Sequence, residues 1–247
     1  MNATTTFGIV PPSLEGAVDS VEHVTRQHGA VARFRLTPLD DRLDALLARR
    51  GYARSADVMV MALDLALDLA LDLALASGHG AMVDPPRVSA LEPAPTAAPE
   101  PHAGVRFEDQ VNDAWLERLG RFGGYDDTRV REIGESLRRL RLPHALFRRE
   151  DAVGLAVRDG AWLGLFDIAV DPARRRAGAG RVLTASMLTW GRSSGAERAY
   201  LQVHSENAPA LALYRRFGFT EAYRYHYRTA ADATPGAARD GAGGSAG

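Results

Sequence analysis

The sequence predicts an α/β (α+β) fold. Three observations carry that expectation. Segments with helical apolar spacing alternate with short strand-like runs through most of the chain. A Pro- and Ala-rich stretch, 77–103, separates two such αβ patterns and reads as an extended, semi-rigid linker. A mostly apolar run of strand length, Ala161–Val170, leads through Pro172 and an Arg- and Gly-rich turn into a long helical pattern.

In the first pattern, 1–76, Ser13–Gln27 suits a helix, Val31–Leu36 a strand, Leu39–Arg50 a helix and Ala53–Met61 a strand. An Ala-Leu-Asp-Leu repeat then fills Ala62–Ala76. Leucine at every second position from Leu63 to Leu75 is strand alternation, whereas Asp64, Asp68 and Asp72 recur at the spacing of a helix face, so the repeat leaves both conformations open. Its aspartates and its shortness exclude a membrane span.

In the second pattern, 104–230, Val111–Arg121 and Asp127–Arg141 read as helices with Leu116, Leu119, Ile133, Leu137 and Leu140 toward the core. His144–Arg149 and Ala152–Val157 form a hairpin around Glu150 and Asp151. Ala161–Val170 is a buried strand, Gly180–Ser194 a helix, Glu197–Val203 a strand, Ala208–Phe217 a helix and Thr220–Tyr227 an aromatic-rich strand. Residues 231–247 have no apolar periodicity and read as a disordered tail.

Composition narrows the function. The 247 residues suffice for one or two domains with a sizeable core. All 30 basic residues are arginine, yet the net charge of -1 creates no global field toward nucleic acid or an acidic membrane. The basic run Arg138, Arg139, Arg141, Arg148 and Arg149 is interleaved with Glu132, Glu135 and Glu150, which makes a mixed solvated face. The absence of cysteine excludes disulfides, thiolate-zinc sites and a cysteine nucleophile. The seven histidines are scattered, so no metal is expected. Met1–Val10 carries no basic region followed by an apolar stretch, and a cytoplasmic location is expected.

The segment from Phe166 to Gly180 holds the first candidate site. After the strand, Arg175, Arg176, Ala177, Gly178, Ala179, Gly180 and Arg181 form a turn whose glycines let backbone approach a ligand closely. The following helix adds unpaired N–H groups and the positive end of its dipole, a combination suited to a pyrophosphate. The turn lacks the Gly-Lys-Ser/Thr of a P-loop and the full Gly-x-Gly-x-x-Gly of a dinucleotide fold.

A second segment runs from Tyr200 to Phe219. Asn207 can cap the helix that starts at Ala208, Pro209 sits in its first turn, and Gly218 can close it in the left-handed conformation. Tyr214 shares a helix side with Ala210 and Leu211.

Strand, Arg-x-x-Gly-x-Gly, helix, strand, Asn-x-x-Ala, Leu-Tyr and Gly-Phe, in that order, resemble the GNAT (GCN5-related) N-acetyltransferase family. The resemblance covers Asp167–Arg228 closely and the run from Val105 loosely. The wording Ile168-Ala169-Val170-Asp171-Pro172 is similar to the ribosomal-protein alanine acetyltransferases, and Tyr225-His226-Tyr227-Arg228 to bacterial tandem GNAT proteins. It implies the GNAT acyl-CoA N-acyltransferase fold with a mixed central sheet flanked by helices, acetyl-CoA as co-substrate without a metal, a primary amine as acceptor, and a monomer or homodimer. Residue by residue it implies that Ile168, Ala169 and Val170 hydrogen-bond the pantetheine arm like an added strand, that 175–181 hold the pyrophosphate, that Asn207 contacts the CoA arm, and that Tyr214 protonates the leaving thiolate.

The implied chemistry is direct attack of a neutral amine on the thioester in a ternary complex. One part departs from the family: the glutamate of the alanine acetyltransferase branch is Gln202 here, and glutamine cannot accept a proton at neutral pH. A water-relayed base comes first in its place, then Glu206 or His204, with Asp167 a further candidate. Gln202 also keeps open an alternative, a non-catalytic acyl-CoA-binding or regulatory module. Residues 13–60 mirror the second pattern weakly. Leu46–Tyr52 lines up with Leu213–Phe219, Leu47 replaces the tyrosine, Asp40 or Asp41 replaces the asparagine, and no Arg-x-x-Gly-x-Gly precedes. This implies a degenerate, partial GNAT-like lobe over 1–76.

Overall fold

The computed structural model describes residues 13–65 and 104–231. The linker 77–103, the tail beyond Ala231, the repeat beyond Leu65 and Met1–Val10 lie outside the described residues. The described chain divides into two compact units that do not follow chain order. The first takes 13–60, 203–206 and 221–231, the second 61–65, 104–202 and 207–220.

In the first unit, helix α1 (Leu14–Gln27) opens where Ser13 Oγ accepts from Gly16 N at 3.0 Å. Strand β1 (Arg33–Leu36), helix α2 (Asp41–Arg49) and strand β2 (Ala53–Asp64) follow. The last strand, β8 (Thr220–Thr229), pairs antiparallel with β1 from Arg33↔Thr229 to Leu36↔His226 and lies between β1 and β2. Val18, Val21, Phe34, Leu36, Leu46, Leu47 and Tyr52 form the core. The repeat is strand as far as Asp64.

The end of α2 and the helix carrying Tyr214 close in the same way. Gly51 and Gly218 are left-handed, at φ 79° and 87°. Tyr52 N donates to Leu47 O at 3.0 Å, as Phe219 N donates to Tyr214 O at 3.2 Å. This is the stretch that the sequence alignment pairs.

Asp44 on α2 accepts from Arg228 Nε at 2.8 Å and lies 2.9 Å from His226 Nε2, both on β8. Chiefly the Arg228 hydrogen bond, then His226, holds its carboxyl at about 2, below the usual carboxylate range. A depressed carboxyl contributes stability that is present above its unfolded value and lost as pH falls through the folded one. Asp44→Asn is expected to cost about 2 kcal/mol at pH 7, read as faster hydrogen exchange in β1 and β8, and to flatten the loss of protection between about pH 4 and 2.

In the second unit the strand order is β7-β6-β5-β4-β3. The strands are β3 (Arg106–Glu108), β4 (His144–Arg148), β5 (Ala152–Asp159), β6 (Trp162–Val170) and β7 (Arg198–His204). β3 to β6 pair antiparallel in sequence, and β6 pairs parallel with β7, which makes the sheet mixed. Helices α3 (Asp113–Gly123) and α4 (Asp127–Arg139) are capped by Asn112 and Asp126 side chains. They pack Trp115, Leu116, Leu119, Phe122, Ile133 and Leu137 against Leu146, Val153 and Leu155. Leu140, expected in the core, is partly buried beside it. Helix α5 (Ala179–Ser193) buries Leu183, Met187 and Leu188, and α6 (Ala208–Arg216) buries Ala210, Leu211 and Tyr214. The expected elements are present with their ends moved by a few residues. β3 is an addition that sequence reading did not foresee.

Candidate functional site

The site grows out of β6. Opposite β5 its register runs Val153↔Ala169 and then Leu155↔Phe166, so Asp167 and Ile168 face the single residue Gly154. This is a bulge, which bends and twists the strand that carries it. Asp167 takes φ 49°, unusual for a residue with a Cβ. Gly154 belongs there because a Cβ would stand 3.0 Å from Met187 Sδ and 3.1 Å from Leu183 Cδ2. On its other edge β6 pairs with β7 from Trp162↔Arg198 to Leu165↔Leu201, where the ladder ends. The main chain of Ile168, Ala169 and Val170 on that edge therefore lies beyond the ladder, while their side chains are buried.

Past β6, Asp171 N donates to Asp151 O at 2.8 Å, and Asp171 Oδ1 accepts from Ala173 N at 3.0 Å. One 3₁₀ turn, Pro172–Arg174, follows. Arg176 (φ 66°) and Gly178 (φ 83°) then swing the chain into α5, with Gly178 at the N-cap position and no side chain capping the helix. Val182 N donates to Gly178 O at 3.1 Å, so the amides of Ala179, Gly180 and Arg181 head the helix without an intrahelical acceptor. Arg175, Arg176, Ala177 and Gly178 are exposed.

A cavity of about 280 Å³ opens on this turn. Arg176, Gly178, Ala179, Gly180 and Arg181 form one wall. The other is a stripe of α6: Pro209, Ala212, Leu213 and Arg216. Sequence reading did not name that stripe. Its signal was available, since 209, 212, 213 and 216 follow helical spacing on the side opposite the buried Ala210, Leu211 and Tyr214. Three guanidinium groups and the head of a 15-residue helix thus border one hollow, an arrangement that favours a polyanion.

Asn207 Oδ1 accepts from Ala210 N at 3.1 Å and so caps α6. Tyr214 is 2% exposed, with its ring edge-on to Phe219 at 6.0 Å. Burial pushes its phenol well above the usual tyrosine range, which keeps it protonated at neutral pH. Half-buried His204 and exposed Glu206 group with the first unit, whereas Gln202 and Tyr214 belong to the second. The structure thus brings the turn together with α6 and keeps Asp167 in the same unit as Tyr214, whereas His204 and Glu206 fall in the other. Among the described residues no group of three or more His, Cys, Asp or Glu could hold a metal ion, and no helix is long and apolar enough to cross a membrane.

Comparison with known proteins agrees with this architecture. The family described as "Probable histone acetyltransferase Rv0428c C-terminal" matches residues 9–228. The uncharacterized N-acetyltransferase YobR of Bacillus subtilis is 29% identical over 129 residues, which is 50% of this chain and 52% of that protein. The [ribosomal protein bS18]-alanine N-acetyltransferase of Salmonella typhimurium is 43% identical over 68 residues, 27% of this chain and 46% of that protein. The chain thus spans about half the length of these curated relatives. A GCN5-related N-acetyltransferase from Sphaerobacter thermophilus shares the fold with a TM-score of 0.55 at 19% identity, over 83% of this chain and 62% of that one. With a family match over most of its length and a mixed sheet that carries the turn and α6 in the expected order, the chain belongs to the Rv0428c C-terminal family of GNAT N-acetyltransferases.

Proposed function

We propose that the protein transfers an acetyl group from acetyl-CoA to a primary amine by direct attack in a ternary complex. The observation that carries this reading is the cavity between the head of α5 and the outer stripe of α6, bordered by Arg176, Arg181 and Arg216. A diphosphate fits the unpaired amides of Ala179, Gly180 and Arg181 together with that positive charge. The pantetheine arm then runs along Ile168–Val170, whose main chain continues past the end of the β6–β7 ladder. Backbone amides there would also receive the oxyanion that develops on the thioester carbonyl. Tyr214 donates the proton that the departing thiolate needs. Its protonated state supports that role, and its burial means that truncation would test packing as well as chemistry.

The N-acetyltransferase names of the relatives support the reaction class. We read residues 13–60 as a copy of the strand–helix pattern without its chemistry, because Leu47 stands at the position aligned with Tyr214. Gln202 favours a second reading, an acyl-CoA-binding module without turnover.

Release of CoA thiol across a panel of primary amines separates the two. Turnover with any amine supports the transferase, and tight acetyl-CoA binding with none supports the binding module. Tyr214→Phe keeps the ring and removes the proton. It is expected to lower kcat at least tenfold while acetyl-CoA affinity and thermal midpoint stay near wild type. Unchanged kcat would remove Tyr214 from the reaction.

A further inference from the structure

Asp167 is the least ordinary residue of β6. Its positive φ is sterically costly, and such strain concentrates at functional positions. The carboxyl meets the α3–α4 connection, where Tyr125 Oη donates to Oδ1 at 3.4 Å, and that is its one hydrogen bond among the described residues. Arg129, in the first turn of α4, acts on it through space, and the buried Arg129 Nε has no hydrogen-bond partner among the described residues. A carboxylate held for structure alone is ordinarily well hydrogen-bonded or ion-paired. Asp167 is neither, yet the residue keeps part of its surface exposed. Tyr125 and Arg129 are the titratable and charged groups that act on it. Burial raises the carboxyl above its usual range against the opposing pull of both, which brings it closer to a base that works near neutral pH.

Beside Asp167 lies a row of rings. Phe166 stands edge-on to Tyr200 at 5.8 Å, and Tyr200 to Trp162 at 6.2 Å. Gly164 makes room for them, because a Cβ there would stand 2.4 Å from Phe166 Cε2 and 2.9 Å from the Tyr200 hydroxyl. Trp162, Gly164 and Phe166 alternate along β6 onto one sheet face, opposite Leu163 and Leu165. A partly buried carboxylate at the end of an aromatic row suits an ammonium group on an apolar body.

We propose that Asp167 receives the ammonium of the acceptor and takes its proton, with Tyr125 and Arg129 as positioning residues. The acceptor class is then a primary amine with an aromatic or aliphatic body that lies along Phe166, Tyr200 and Trp162. This deepens the acetyl-transfer reading and rests on it. In the step, R–NH₃⁺ gives one proton to the Asp167 carboxylate and the freed lone pair bonds to the thioester carbonyl carbon. The C–S bond breaks, and its electron pair leaves on sulfur, which is protonated. The nitrogen sheds its second excess proton, so that one proton in all passes to solvent as amide and CoA thiol form.

The test uses the full chain as wild type, Asp167→Asn and Tyr125→Phe. Asn keeps the shape of Asp and tolerates positive φ. Acetyl-CoA binding by calorimetry is expected to agree within twofold in all three. A wild type that does not bind acetyl-CoA overturns the donor reading and this proposal together, whereas the outcomes below concern the acceptor alone. Thiol release is then followed with tyramine, tryptamine and spermidine as probes. Tyramine and tryptamine are expected to exceed spermidine at least tenfold in kcat/KM. Asp167→Asn is expected to lose at least a hundredfold in kcat/KM, together with the acid limb of its pH profile. Tyr125→Phe is expected to keep most of kcat and to move the acid limb to higher pH, because the hydrogen bond it removes favours the ionised carboxyl. Asp167→Asn within threefold of wild type with the acid limb intact, or no turnover of any probe by protein that binds acetyl-CoA, overturns the proposal.

Discussion

Gly178→Asp is expected to reduce acetyl-CoA affinity at least a hundredfold while leaving the protein folded. Gly178 has φ 83° and nothing within 4 Å of where a Cβ would stand, so a side chain meets strain but no clash. That strain is about 1–2 kcal/mol. The new carboxylate would stand at the head of α5, where the amides of Ala179, Gly180 and Arg181 are proposed to hold a diphosphate. Two like charges about 4 Å apart near a protein surface repel by roughly 4 kcal/mol, and a hundredfold loss needs about 2.8 kcal/mol. Gly178→Ala carries the strain without the charge and is expected to lose less than tenfold. Calorimetry at fixed ionic strength compares the three proteins. Equal affinity in the aspartate variant would remove the turn from the donor site.

The largest expected loss of stability lies at Trp115. It is 1% exposed, sits in the core between α3 and the sheet, and donates its indole N–H to Phe147 O at 3.0 Å. Trp115→Ala leaves a cavity and removes the indole hydrogen bond, at a cost of about 4–5 kcal/mol. Trp115→Phe refills most of the volume and is expected to recover about half of that. Urea unfolding followed by circular dichroism reads both. A loss below about 1 kcal/mol for the alanine variant would mean that this core is packed differently.

Much of this could be read from the chain. Asn207, Pro209 and Gly218 announce α6 through local capping rules, and the structure has each in its expected place. The turn after Val170 was legible because glycine and arginine there serve backbone needs that operate within a few residues. What escaped depends on distant partners. The bulge at Asp167 exists only as a mismatch of register between β5 and β6, which no single strand records. β3 has three residues, too few to show a period, and forms against β4. β8 groups with the first unit because Arg33–Leu36 pairs with it from the other end of the chain. The cavity-lining stripe of α6 follows a helical spacing, but spacing alone does not distinguish a side that faces a ligand from one that faces solvent.

Two-dimensional amide NMR of the full chain during titration with coenzyme A tests the central claim most directly. The diphosphate account predicts saturable shifts concentrated in the amides of 175–181 and in the outer residues of α6, weakened by rising salt. Binding that leaves those amides unmoved, or no binding at millimolar coenzyme A, would contradict it.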